Sequence, residues 1–294
     1  MIINFVIPAP GSSYGNIIRS IIDPITIHLS EYKISQKSLP DAVNVHFFIE
    51  KTYYQMVNFG PGVNIYIDHG IGDKNYYKNL LNFIQKYDVI CVSGPRWAQK
   101  MLHLGVPNEK LVTIGYAKLD PIFNGQIKKK TSEKKLVLWA PSHSNCHSSY
   151  PDFEHWIDKF PKDLEVITSV HPYNKENKLP VLKELVDADV IISDVSSIVY
   201  EAWAVGKPVV FPDWLIKEKI LQFYKGSFEE KIFSENIGFH ADDFNQLIDQ
   251  VYYAIHHGID KNAKDFIEGI LPADYRGESG KIAAKYLLRI ACKQ

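Results

Sequence analysis

Short apolar runs recur along the chain, each closed by a turn and followed by a segment with helical spacing. That alternation predicts strands and helices arranged around a parallel sheet. In the first half the predicted strands are Ile2 to Ile7, Asn44 to Ile49, Asn64 to Ile67, Val89 to Val92 and Leu111 to Ile114. Asn16 to Tyr32, Asn75 to Lys86 and Pro95 to Leu104 read as helices. After Asp120 the texture changes: Gly125 to Lys135, GQIKKKTSEKK, has no large apolar stretch and reads as a linker, its lysines forming a solvated connection or an anion-binding patch. Beyond it the alternation restarts, with strands at Lys135 to Trp139, Leu164 to Val170, Asp189 to Ser193 and Pro208 to Phe211, and helices at Ile198 to Val205 and Phe244 to His256. The pattern predicts an α/β protein of two successive Rossmann-like, doubly wound units facing a central cleft, the default place for a ligand.

Composition narrows the classes. Of 294 residues 46% are apolar and 23% charged, which is ordinary for a globular chain. With 33 basic against 34 acidic side chains the net charge is −1, whereas a protein that grips a nucleic-acid backbone usually carries a strong basic excess. Nucleic acid is therefore an unfavoured partner, and the 17 tyrosines and 5 tryptophans are read as core. Cys91, Cys146 and Cys292 lack the spacing of a zinc site or the even count of a disulfide framework, as expected of reduced thiols in a cytoplasmic protein. The apolar N-terminus has no basic flank and reads as a first strand rather than a signal peptide. No stretch approaches the roughly 20 continuous apolar residues of a membrane span, so a membrane-bound acceptor would be reached peripherally, from the surface.

Ligands of open parallel sheets bind at the carboxyl ends of strands, so polar residues there carry most weight. Five segments qualify. In IYIDHGIGDK, His69 can act as a general base while Gly70 lets a substrate approach the backbone, and a capped turn explains the same residues. In TIGYAKLD, Lys118 either meets a phosphate or stands exposed and idle. In LVLWAPSHS, Ser142 and His143 follow a strand, as a ligand loop or simply a polar one. ITSVHPYN ends a buried-looking strand in His171. In ADVIISDVSSIVYEAWAVGKPVVF, a strand runs into Asp194, and Ser196 and Ser197 open a helix whose amides suit a diphosphate, or whose start Asp194 and Ser196 merely cap.

Taken in order, these segments resemble the CDP-glycerol glycerophosphotransferase family, the teichoic-acid primases and polymerases of GT-B fold. The family pattern HGTPLK, GYPRxD, APTxR, HP and DYSS followed by KPxxF/Y is met here by HGIGDK, GYAKLD, APSHS, HPYN and DVSSIVYEAWAVGKPVVF. SGPRWAQKMLHLGVP and the closing DYRGESGKIAAKYL are also similar, and the resemblance is best from Ile65 to Phe211. Ile71, Gly72 and Asp73 replace TPL. Lys118 replaces an arginine and cannot make its bidentate fork, and Val195 replaces the tyrosine of DYSS. No counterpart of the family's membrane-associating extension is expected.

The resemblance implies an acceptor-side domain over 1–124, a linker over 125–135, a nucleotide-donor domain over 136–275 and a helix over 276–294 crossing back to the first domain. It implies a transferase that moves glycerol phosphate, or a related polyol phosphate, from a CDP-activated donor to a hydroxyl of a glycan or polyol-phosphate acceptor, lipid-linked or free, in wall or capsule synthesis, releasing CMP. His69 is then the base and His171 stabilises the donor phosphates, while Gly70, Lys118, Ser142, His143, Asp194, Ser196, Ser197 and Asp213 hold the donor, with Trp214 closing over its cytosine or polyol. No cofactor beyond the donor is implied. No DxD-type pair follows a strand, which leaves room only for loosely held Mg2+. Two other readings fit the same fold. A nucleotide-sugar glycosyltransferase or epimerase would use Glu201, Asp242 or Asp243 on a sugar or ribose, and a non-catalytic nucleotide- or glycan-binding protein would bind without turnover. Arg96 and Arg276 read as phosphate contacts or surface ion pairs, and His256 and His257 as a helix C-cap.

Overall fold

The computed structural model describes residues 1–7, 10–48, 59, 61–142, 148–170 and 182–293. His143, Cys146 and His171 lie outside the described residues. The chain divides into two compact units: Met1–Ile71 with Tyr76–Asn124 and Gly269–Gln294, and Gly72–Asn75 with Gly125–Glu268.

The first unit holds β1 (Ile2–Val6), β2 (Lys33–Ser35), β3 (Ala42–Phe48), β4 (Gly62–Asp68), β5 (Val89–Val92) and β6 (Leu111–Thr113), all parallel in the order β2-β1-β3-β4-β5-β6. The second holds β7 (Lys135–Ala140), β8 (Leu164–Thr168), β9 (Val190–Ser193), β10 (Val209–Pro212) and β11 (Phe239–Ala241), parallel in the order β11-β10-β9-β7-β8. These strands form because crossover helices cover a parallel sheet on its faces, so central strands are apolar throughout, and every residue of β5, β9 and β10 is buried. Two strands were not expected: β2 falls just past the predicted helix Asn16 to Tyr32, whose observed counterpart is Ser13–Thr26, and β11 is only three residues long. The predicted helix Asn75 to Lys86 is a 3-10 turn, Tyr76–Asn79, and a short helix, Leu81–Ile84: the left-handed φ values of Lys74 and Asn75, 45° and 54°, delay its start, and Leu80, at φ −127° and ψ 7°, parts the two pieces.

An asparagine rung fixes the register of the first sheet. Asn4 pairs with Asn44 and Asn44 with Asn64 across β1, β3 and β4, all three buried. Asn4 Nδ2 donates to Asn44 Oδ1 at 2.8 Å, and Asn64 Oδ1 meets His46 Nε2 at 3.1 Å. A slip of one residue would leave these amides unpaired in the core. Burial holds His46 down at about 4.

The helix Ser13–Thr26 is capped by Ser12, whose Oγ accepts from Gly15 N at 3.1 Å, and buries Ile18, Ile21, Ile22 and Ile25 at helical spacing. The C-terminal helix Ser279–Lys293 packs on it and on β1 and β3. A Cβ on Gly280 would stand 2.2 Å from Pro24 O, so only glycine lets the two backbones approach this closely. In the second unit, Val137, Trp139, Val190, Ile192 and Val210 pack beneath Leu247 and Val251 of the helix Phe244–His257. The 125–135 segment is exposed as expected but follows a set path along the second unit. Lys129 Nζ pairs with Asp189 Oδ1 at 2.7 Å, and Lys183 Nζ donates to Lys128 O at 3.0 Å. Exposed pairs like these direct the chain and contribute about 1 kcal/mol at most. Among the described residues no helix is long and apolar enough to cross a membrane.

Candidate functional site

Strand order locates the ligand-binding edge of the second sheet. In the second sheet the order reverses between β7 and β9, and at such a switch point the loops leaving neighbouring strands part to open a crevice. Ser142 follows β7 and Asp194 follows β9. Asp194 is buried, and its Oδ2 accepts from Ser142 N at 2.9 Å and Ser149 N at 3.0 Å, tying the two loops together. Its Oδ1 has no hydrogen-bond partner among the described residues. Burial raises the carboxyl's pKa, and hydrogen bonds from Ser149, Ser142 and Ser148 oppose that rise.

The helix Ser197–Ala204 starts directly after this point, and the capping role weighed for Asp194 and Ser196 is not what they do. Ser196 has the extended backbone of an N-cap, yet its side chain makes no capping hydrogen bond. Ser196 Oγ lies 3.4 Å from Ser193 Oγ, and Asp194 Oδ2 serves the β7 loop. Ser196 and Ser197 are both partly exposed. A helix start whose N-cap side chain makes no capping hydrogen bond, with hydroxyls on its first residues, can receive an anion.

The tetrapeptide Gly72–Asn75, part of the second unit, lies against this helix start. Gly72 N donates to Ser197 Oγ at 3.3 Å. Asp73 Oδ2 accepts from Phe228 N at 2.8 Å, while Glu229 answers with Oε1 to Asp73 N at 2.9 Å and Oε2 to Lys74 N at 2.7 Å. Tyr200 also donates to Glu229 Oε1, at 2.6 Å. Burial lowers Lys74 to about 8, and the charges of Glu229 and Asp194 pull it back up. Lys74 and Glu229 were missed by sequence reasoning. Lys74 stands in the same hexapeptide as His69, a signal that was there to be used, whereas Glu229 has no local signature.

In the first unit, His69 and Gly70 follow β4 and are partly buried. His69 Nδ1 stands 3.1 Å from Asp68 Oδ1, and Asp68 Oδ2 accepts the hydroxyl of Tyr77. Tyr77 in turn shares a 2.7 Å hydrogen bond with the buried Tyr66. The main chain of the loop is held by Tyr116, which donates to His69 O at 3.0 Å, and by Trp97, whose Nε1 donates to Ile71 O at 3.1 Å. A cavity opens here, lined by Asp68, Gly70, Tyr77 and Tyr116 with Ile21 and Trp97 among its apolar walls.

Other expected residues are buried or engaged within the fold. Lys118 is buried at 5% exposure rather than exposed and idle. Its GYAKLD segment receives the C-terminal helix: Gly115, at φ 80°, leaves room for Ser279, whose Oγ accepts from Tyr116 N at 2.9 Å. Ser142 is fully buried. Asp213 is buried with both oxygens engaged, its Oδ1 2.8 Å from His240 Nδ1 and its Oδ2 2.9 Å from Lys217 Nζ. Trp214 packs against Phe153 and Trp156 at the second unit's core. Glu201 is buried, Asp242 is exposed and Asp243 caps the helix Phe244–His257 through Gln246 N at 2.9 Å. His257 Nδ1 lies 2.9 Å from Tyr253 O at that helix's end. Among the described residues no group of three or more His, Cys, Asp and Glu could hold a metal ion.

Two parallel-sheet α/β units of this kind define a GT-B fold, and solved structures agree. No family model and no curated protein matches the chain. The wall teichoic acid polymerase TagF is similar at 13% identity with a TM-score of 0.63, over 99% of this chain and 89% of that one. A variant of TagF soaked with CDPG is similar at 14% identity and a TM-score of 0.63, over the same shares of both chains. A co-structure of S. aureus MnaA with UDP is similar at 13% identity and a TM-score of 0.60, over 99% of this chain and 98% of that one.

Proposed function

We propose that this chain is a GT-B transferase that moves glycerol phosphate, or a related polyol phosphate, from a CDP-activated donor to a hydroxyl acceptor and releases CMP. The observation that carries it is the serine-tipped helix start in the second unit, where Ser196 makes no capping hydrogen bond, with Lys74 beside it. Amides, hydroxyls and an ammonium group there suit the doubly charged bridge of a nucleoside diphosphate. The GT-B likeness to a polymerase soaked with CDPG, together with the ordered segments from HGIGDK to KPVVF, favours a CDP-polyol over other donors.

In this reading His69 takes the proton of the acceptor hydroxyl as that oxygen bonds to the β-phosphorus. The bond from the β-phosphorus to the oxygen bridging it to the α-phosphorus breaks, and CMP leaves with that oxygen. Ser196, Ser197 and Lys74 stabilise the charge, and His171 is proposed beside the donor phosphates. The protein's part is alignment and fixed polar groups, as phosphoryl transfer requires. The protein acts from the cytoplasm, and a lipid-linked acceptor would be met at the membrane surface.

The test is incubation with CDP-glycerol, CDP-ribitol and a panel of UDP- and GDP-sugars, following the nucleotide released. CMP from a CDP-polyol supports the proposal. UDP or GDP release with no response to either CDP-polyol makes the chain a nucleotide-sugar enzyme, the reading favoured by the likeness to MnaA with UDP. Binding of CDP without turnover of any donor makes it a non-catalytic binder.

A further inference from the structure

We propose that Asp68 is a positioning residue for His69: its carboxylate, itself held by the Tyr77 hydroxyl, keeps the proton of the neutral imidazole on Nδ1 and so leaves the Nε2 lone pair to receive the acceptor's proton. The inference rests on the reading of His69 as the base and adds to it the groups that make the ring a base.

The geometry begins with the end of β4. Within a strand, neighbouring side chains point to opposite faces, so adjacent residues do not ordinarily meet. Asp68 is the last residue of β4, in register with Phe48 of β3, and the chain leaves the ladder at His69. That departure brings Nδ1 of the imidazole to 3.1 Å from Asp68 Oδ1. Gly70 N donates to the same oxygen at 3.3 Å. The other oxygen receives the hydroxyl of Tyr77, a side chain 3% exposed, whose own partner Tyr66 is fully buried. The carboxylate is therefore anchored on one side by buried phenols and presented to the imidazole on the other.

Two consequences follow for the chemistry. A carboxylate facing Nδ1 favours the tautomer that carries its proton there, and it offsets the positive charge the ring acquires as it takes a second proton. The contact has the distance of a hydrogen bond but not yet its alignment, a common state of unliganded sites that tightens when substrate binds. Tyr116 and Trp97 hold the carbonyls of His69 and Ile71, which fixes the main chain that carries the ring.

The test combines Asp68→Asn and Tyr77→Phe with 15N NMR of the imidazole in the unliganded protein. In the CMP-release assay Asp68→Asn is expected to lower kcat by about 100-fold or more with the donor KM within about two-fold, and Tyr77→Phe by about five- to ten-fold. The double variant Asp68→Asn with His69→Ala should be no slower than His69→Ala alone, since both act through one ring. NMR should show the Nδ1–H tautomer of His69 in the unsubstituted protein and its loss in Asp68→Asn. An unchanged kcat in Asp68→Asn, or an Nε2–H tautomer in the unsubstituted protein, overturns the proposal. Full turnover by His69→Ala overturns the base reading instead, while the tautomer measurement still decides what Asp68 does. If Asp68→Asn does not fold, Tyr77→Phe and the unsubstituted protein's tautomer carry the decision.

Discussion

Asp120 and Gly280 meet at the start of the C-terminal helix: Asp120 Oδ2 accepts from Gly280 N at 2.7 Å, while Oδ1, equally buried, has no partner among the described residues. Burial outweighs the backbone hydrogen bonds and raises this carboxyl to about 6. A folded-state pKa above the unfolded one means that the folded chain holds its proton more tightly. The contribution is fully present below about pH 4 and is lost as pH rises through about 6. Urea unfolding of the first unit should show a gain on the order of 2 kcal/mol between pH 7.5 and pH 4.5 that Asp120→Asn flattens, since the amide keeps an acceptor for Gly280 without the buried charge. An unaltered pH slope in Asp120→Asn would count against this.

Gly280→Ala places a methyl group on Pro24 O and pushes the C-terminal helix off the helix Ser13–Thr26. A loss on the order of 2 to 3 kcal/mol is expected in urea unfolding, without a defect in CDP binding by the second unit.

Lys74 sets a pH window for nucleotide binding. With its pKa lowered to about 8, it loses charge as pH rises through that value. Affinity for CDP, measured by calorimetry, should fall about three- to ten-fold from pH 7 to pH 9, and Lys74→Gln should be weaker at pH 7 and nearly flat over the same range. A steep fall persisting in Lys74→Gln would assign the effect to another group.

Asp213 stands between two roles, donor contact and internal anchor. Its carboxylate holds His240 and Lys217, so Asp213→Asn should cost about 1 to 3 kcal/mol of stability and leave CDP affinity within about three-fold. A ten-fold loss of affinity with intact stability would return it to the donor site.

How much of this was legible in the chain follows from where the signal resides. VIIS and VVFP announce buried parallel strands because both faces must be apolar, whereas KIS of β2, largely exposed at a sheet edge, carries no such mark. The segment after Asn75 has helical spacing, but its helix is parted where the backbone of Leu80 leaves the helical region. His69 and the serine-tipped helix are conspicuous in the sequence because polar residues stand out at the ends of apolar strands. Their partners are not: Glu229 reaches Lys74 across 155 positions of sequence, and Tyr77 reaches Asp68 only because a 3-10 turn folds back. In the GYAKLD segment, residues with the look of a ligand loop also seat a helix, a role that the sequence does not announce.

The first unit draws its last structural layer from 269–294, delivered after the whole of 125–268. During translation its sheet must therefore wait, with the surface meant for Ala283, Ala284 and Leu287 still uncovered, while the ribosome makes the second unit. The second unit has no such dependence on late residues, so it is the one able to mature first on the nascent chain.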